Sequence, residues 1–365
     1  MKKLLLLLIL SFFSVQGLAA SCPDGSEPVK SVSEDGTYFV YNCSNTSDKK
    51  TIETENLTQN DESTKHKFEC MNQTFDKLIN VFGVYVAGSN KAPMDKVMHT
   101  AGVLAQYLDN DEDGQPDDPK IVSYLSDRNY IVPVWSERDR EKFWENARGT
   151  ACEDNIGMAA SMYYDEDQWA IGGIKKTGQW DTNLEEVWHV VSAGWYEVYP
   201  EYFGNNGSKL HDAMNKARGG YFRNVPSKYP KNAWYSYNDE SCRYECQAHE
   251  YFYWILMANI NALDPSLTNK CNRSKDEWHI CNKSELREQD VLAYELLNNN
   301  DFVLPTQIPD GEYMSKEIIS INQSIGFSAV DYNTNLKELC QWHIAANWDG
   351  SKKQARKDMP KHNLI

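Results

Sequence analysis

The chain has 365 residues, 25% of them charged, and its acidic excess gives a formal net charge of −16. Such a balance disfavours nucleic acid and anionic lipid as partners, because like charges repel. The length is enough for one large core or two closely joined ones.

Lys2 and Lys3 precede an apolar run through Phe13, and Gly17-Leu18-Ala19-Ala20 follows. A charged start, an apolar stretch and small residues predict a secretory signal peptide over residues 1–20, cleaved after Ala20. No later segment reaches the ~18 uninterrupted apolar residues of a membrane span. The mature chain, with a net charge near −18, is therefore expected to be secreted and extracellular, without stable membrane insertion. Eight Asn-x-Ser/Thr sequons, at Asn42, Asn45, Asn56, Asn72, Asn206, Asn272, Asn282 and Asn322, mark it as a glycoprotein. Nine cysteines in an oxidising compartment predict disulfides, with the odd one free or bonded to another chain. Cys22–Cys43 and Cys271–Cys281 are the plausible local bridges, although spacing alone does not fix connectivity.

Residues 21–65 are polar and rich in sequons, with a strand-like Tyr38-Phe39-Val40-Tyr41, and read as a glycosylated N-terminal segment. From about Phe68 to Leu339 the apolar spacing is mainly helical. Helices are predicted over 73–86, 94–108, 119–126, 137–148, 182–199, 208–218, 241–263 and 284–298, with a strand at Tyr130–Trp135. The expected fold class is mainly α with minor β. It is a disulfide-bonded globular domain over 66–345, followed by a basic tail over 346–365.

The most specific chemistry lies between two of these helices, in Asp109-Asn110-Asp111-Glu112-Asp113-Gly114-Gln115-Pro116-Asp117. Carboxylates at alternate positions, a glycine for the turn, and Gln115 and Asp117 beyond it supply the oxygen ligands that Ca²⁺ needs from one short loop. The loop resembles that of an EF-hand, and the resemblance covers about thirty residues. It implies Ca²⁺ held by Asp109, Asp111, Asp113, Gln115 and Asp117. It departs at the twelfth position, where Lys120 replaces the bidentate Glu, and at the eighth, where Pro116 stands; Asp118 is the substitute last ligand. The missing Glu implies extracellular-type affinity, roughly 10⁻⁴–10⁻³ M. The competing reading is an acidic helix–helix turn that holds no ion.

On the 182–199 helix, Leu184-Glu185-Glu186-Val187-Trp188-His189 puts Glu185 and His189 four residues apart, on one face. This resembles the His-Glu-x-x-His helix of zincin metallopeptidases, with Glu185 in place of the first His. The resemblance implies His189 as a Zn²⁺ ligand and Glu186 as the catalytic base. The gluzincin branch takes its third ligand from a Glu on a later helix, here Glu250, beside His249 and Glu245. Two plainer readings compete. Thr182-Asn183-Leu184-Glu185 fits a capping box in which Glu185 bonds back to the Thr182 N–H, and Glu250 is equally able to pair with Arg218 or Arg243. Residues 251–258 are apolar all round, which predicts burial on every side.

Cys242 and Cys246, one turn from His249, offer a zinc site or disulfides, and an oxidising compartment favours disulfides. Bridges from them to different segments would lock the helix in place. The aromatic stretches Tyr199–Gly204 and Tyr229–Tyr237 suit stacking on sugar rings, or filling of the core. No phosphate-binding glycine loop or nucleophile elbow is present in the sequence. Two functions follow as expectations. One is a secreted Ca²⁺-binding glycoprotein with a zincin-like metallohydrolase site, and the other is a non-catalytic Ca²⁺-dependent protein that binds extracellular glycan or protein.

Overall fold

The computed structural model describes residues 29–32, 39–42, 71, 73–205, 207–313 and 319–321. The chain divides into two compact units, Met1–Gln59 and Asn60–Ile365. In the first, β1 (Val29–Val32) pairs antiparallel with β2 (Phe39–Asn42). The signal sequence, the 346–365 tail and Cys22, Cys43, Cys70 and Cys340 lie outside the described residues.

In the second unit, β3 (Phe75–Val81) and β4 (Val84–Ser89) form a hairpin where a helix over 73–86 was expected. The connection is Phe82-Gly83, with φ of 52° and 88°. Two consecutive positive φ values give the twist that a two-residue hairpin needs and that a helix cannot accommodate. The strands' neighbours explain the misleading pattern. Ile79, Val81, Val84 and Val86 belong to one buried cluster, whereas Phe75, Leu78, Tyr85 and Ala87 belong to another. Both faces are covered, so the polar alternation of a half-exposed strand is absent.

After β4 come α1 (Met94–Leu108), the acidic loop, α2 (Pro119–Asp127) and β5 (Ile131–Trp135). β4 and β5 are parallel, so the helix–loop–helix is the crossover of a βαβ unit. α3 (Glu137–Ala147) and α4 (Ala151–Asn155) lead to β6 (Met162–Tyr163), which extends the sheet in parallel. Strand order is β6-β5-β4-β3-β7, where β7 is Ile319–Ile321, antiparallel to β3.

The remaining helices are α5 (Ile174–Thr177), α6 (Asn183–Val198), α7 (Lys209–Arg218), α8 (Tyr244–Asn259), α9 (Lys270–Arg273), α10 (Lys283–Gln289) and α11 (Val291–Leu297). The helix expected over 284–298 is broken at Asp290. That residue ends α10 and caps α11, its carboxylate accepting from the Ala293 N–H while Trp234 and Tyr251 each donate to it at 2.7 Å. The larger core lies between one sheet face and α1, α6, α7, α8 and α11. A smaller one, with Trp135 and Phe143, lies on the other face under α3. The unit is thus mainly helical with a small sheet. α8 is buried from Tyr251 to Ala258 on every side, as its composition predicts.

Cys271 bridges to Cys281, as expected, but Cys242 bridges to Cys246 and not to a distant segment. That bridge staples the start of α8 locally and leaves neither thiolate for a zinc ion. Cys152 is disulfide-bonded as well. Among the described residues, no helix is long and apolar enough to cross a membrane.

Candidate metal centre

α6 is set in place by α1. His99 Nε2 lies 2.5 Å from Asp181 Oδ2, both buried, and Asp181 Oδ1 accepts from the Asn183 backbone and side-chain N–H groups at 3.1 and 2.8 Å. Thr100 donates to Asn183 Oδ1 at 2.7 Å, and Tyr107 donates to the Leu184 carbonyl at 2.7 Å. The acceptors expected from the capping box are supplied instead by the Asp181 carboxylate and the Gln168 carbonyl. Thr182 has helical dihedrals and makes no side-chain cap, and its N–H donates to the Gln168 carbonyl. Glu185 is therefore not spent on the helix end.

Leu184, Val187, Trp188, Val190 and Val191 of α6 face the core. Trp188 packs edge-on against Phe252 of α8, 5.1 Å between ring centres. With that face anchored, Glu185, Glu186 and His189 line a cavity of about 580 Å³ opposite His249 and Glu250 of α8. Ligand atoms of Glu185, His189 and Glu250 lie within 4.8 Å of one another, the three residues the sequence singled out. His189 Nε2 is 3.5 Å from Glu250 Oε2. Neither arginine expected to pair with Glu250 does so. Arg218 is fully buried, donates to the Phe222 carbonyl and sits over the Phe222 and Tyr244 rings.

The electrostatics follow from burial and proximity. Burial pushes the Glu186 carboxyl up to about 8, with Glu185 and Glu250 adding to the rise and His189 opposing it. Burial works against charge on His189, but the Glu250 hydrogen bond and the charges of Glu250, Glu186 and Glu185 outweigh it and raise the imidazole to about 9. Burial works upward on Glu250 as well, yet bonds from His189 and Tyr237 hold it below its ordinary value. His249 is held down at about 4 by burial and by the His189 charge. Its ring stacks on Tyr196 at 4.0 Å, and its Nε2 has no partner among the described residues. The site thus gathers two carboxylates and an imidazole on one locus, with a neutral imidazole and a proton-holding carboxyl in the same cavity.

Two contributors escape sequence reasoning. Tyr237 belongs to an aromatic stretch that reads equally as core or sugar platform, and Lys270 reaches Glu185 at 3.2 Å from a segment 85 residues on. Neither has a local signal. Within the aromatic stretches Phe203, Trp234 and Tyr235 are buried, whereas Tyr199, Tyr202, Tyr229 and Tyr237 are half-buried.

The acidic loop forms a second cluster, of Asp109, Asp111 and Asp117. Asp109 Oδ2 accepts from the Gly114 N–H at 2.8 Å and from the Tyr313 hydroxyl. Asp117 Oδ2 accepts from the Asn110 N–H at 2.8 Å, and burial pushes its carboxyl up to about 6. Asp113 is not gathered into the cluster. Its carboxylate accepts from the exposed Gln115 N–H at 2.8 Å. Asp118 is not a last ligand, because it caps α2 through the Lys120 and Ile121 N–H groups and takes a bond from Tyr199. The segment after α11 closes over this region. Gln106 Oε1 accepts from the Asp310 and Gly311 N–H groups, and Asn110 Oδ1 accepts from those of Thr306 and Gln307.

The chain matches no protein-family model, no curated protein and no solved structure.

Proposed function

We propose that this is a secreted, Ca²⁺-binding glycoprotein whose Glu185–His189–Glu250 centre holds a transition metal ion, zinc above all, and acts as a metallohydrolase. The observation that carries this reading is the meeting of those three side chains from α6 and α8, with Glu186 in the same cavity. An N/O donor set of this kind suits zinc. When bound, the ion supplies Lewis acidity and acidifies a water. Glu186, beside the cluster in the same cavity, is the residue that takes up and returns a proton. Tyr237 and His249 flank the centre as neutral hydrogen-bonding groups. Asp109, Asp111 and Asp117 hold Ca²⁺ at the crossover and stiffen the α1–α2 connection on which α6 rests.

The test is elemental analysis by mass spectrometry of the glycoprotein purified from a secretory host without chelators. About one zinc per chain beside calcium, lost in His189→Ala while the circular dichroism spectrum is kept, is the expected result. Calcium alone, even after incubation with Zn²⁺, would overturn the transition-metal reading.

A further inference from the structure

Lys270 stands between the metal centre and a second cavity, of about 730 Å³. Its ammonium lies 3.2 Å from Glu185 Oε2 and over the rings of Trp180 and Trp254, at 5.1 and 5.2 Å. The second cavity is lined by Trp169 and Trp180, by neutral amides and hydroxyls, and by the cations Lys270 and Arg273. One carboxylate, Asp167, also lines it, and that group is engaged: its Oδ2 accepts the Tyr163 N–H at 2.5 Å. Arg273 is exposed and has no carboxylate within ion-pair distance among the described residues. In a chain of net charge −16, a cavity whose lining sets two cations against one carboxylate carries a local excess of positive charge.

We propose that this cavity is the recognition pocket of the metal centre and takes a carboxylate-bearing group, such as an acidic side chain, of the molecule acted on. Arg273 presents a planar fork that matches a carboxylate with two parallel bonds. Lys270 adds a second charge and ties the pocket to Glu185, so the occupant's neighbouring bonds lie beside the metal cluster. Trp169 and Trp180 supply flat apolar walls for a short aliphatic stem, and the amides of Gln168 and Asn269 meet the polar backbone of a peptide-like ligand. The proposal rests on the metallohydrolase reading for its purpose but not for its chemistry, since neither cation is a metal ligand.

The experiment is isothermal titration calorimetry on the mature glycoprotein with N-acetyl-glutamic acid α-amide and its uncharged isostere N-acetyl-glutamine amide, with and without zinc. The acid should bind at least ~10-fold tighter than the isostere, and Arg273→Gln should reduce that preference to about 2-fold or less. Arg273 is exposed, so its replacement leaves the fold intact; Lys270→Gln gives an independent second test and should cut the preference likewise. Equal affinity for the two probes, no binding of either, or a preference unchanged in Arg273→Gln would overturn the proposal. A preference for the acid in protein that binds no zinc would remove the metal reading and keep the pocket. Zinc bound without any preference would do the reverse.

Discussion

His189 Nε2 lies 3.5 Å from Glu250 Oε2, joining α6 to α8 across 61 residues of sequence. The pair is the meeting point of the two helices' polar residues, and the apolar faces behind it set its geometry. Trp188 one residue before His189 and Phe252 two residues after Glu250 pack edge-on, 5.1 Å apart. The cluster of Glu185, His189 and Glu250 is therefore a consequence of the core, and core and cluster can be perturbed separately.

Removing a ligand without touching Trp188 or Phe252 should spare the fold. His189→Ala and Glu250→Gln are each expected to weaken zinc binding on the order of 100-fold or more, at the upper end of what lesser changes around metal sites cost. Occupancy should also fall on acidification, because ion and proton compete for the imidazole. Competition with a chromogenic chelator measures both. Unaltered affinity in either variant would exclude the cluster as the binding site.

Glu277 supplies a pH dependence that can be isolated. Burial raises its carboxyl from an ordinary 4.5 to about 7, against the bond donated by Trp254 Nε1 at 2.6 Å. The folded chain then holds a proton that the unfolded chain has released, so this group's stabilisation is full below about pH 4.5 and is lost as pH rises through about 7. Glu277→Gln keeps an acceptor for Trp254 but cannot ionise. Its stability relative to the parent should rise between pH 5 and pH 8 by on the order of 2–3 kcal/mol. Denaturant melts at the two pH values measure it, and a constant difference would contradict the assignment.

Calcium should stabilise the fold. With affinity near 10⁻³ M, 10 mM Ca²⁺ adds about 1.4 kcal/mol, or roughly 3 °C in Tm for a unit of this size. The gain should vanish in Asp109→Asn and diminish below about pH 6, where Asp117 takes up a proton. Thermal melts with calcium and with chelator decide the matter. Identical melts in the parent protein would mean that the loop holds no ion.

Gly102 is a contact point between α1 and the segment that closes over it. A Cβ there would lie 2.1 Å from the Gly311 carbonyl oxygen, a backbone atom with little room to move. Gly102→Ala is expected to displace the 306–313 segment and cost about 1–3 kcal/mol. Hydrogen exchange should show faster exchange at Asp310 and Gly311, whose N–H groups bond to Gln106. Protected amides there in the variant would count against the packing described.

What the sequence determined by itself was local. The i, i+4 relation of Glu185 and His189, the all-round apolar run of α8, the acidic loop and the Cys271–Cys281 bridge all depend on spacing within one element or one short loop. Three matters were decided only by tertiary structure. Residues 75–89 became a hairpin because partners on both faces bury it, which erased the alternation that identifies a strand. Glu185 was released from its capping role because the Gln168 carbonyl accepts the Thr182 N–H and the Asp181 carboxylate, held by His99 of α1, accepts that of Asn183. Lys270 and Tyr237 reached the centre because distant segments converge there, and a contact that depends on how whole elements pack leaves no periodic trace in the chain.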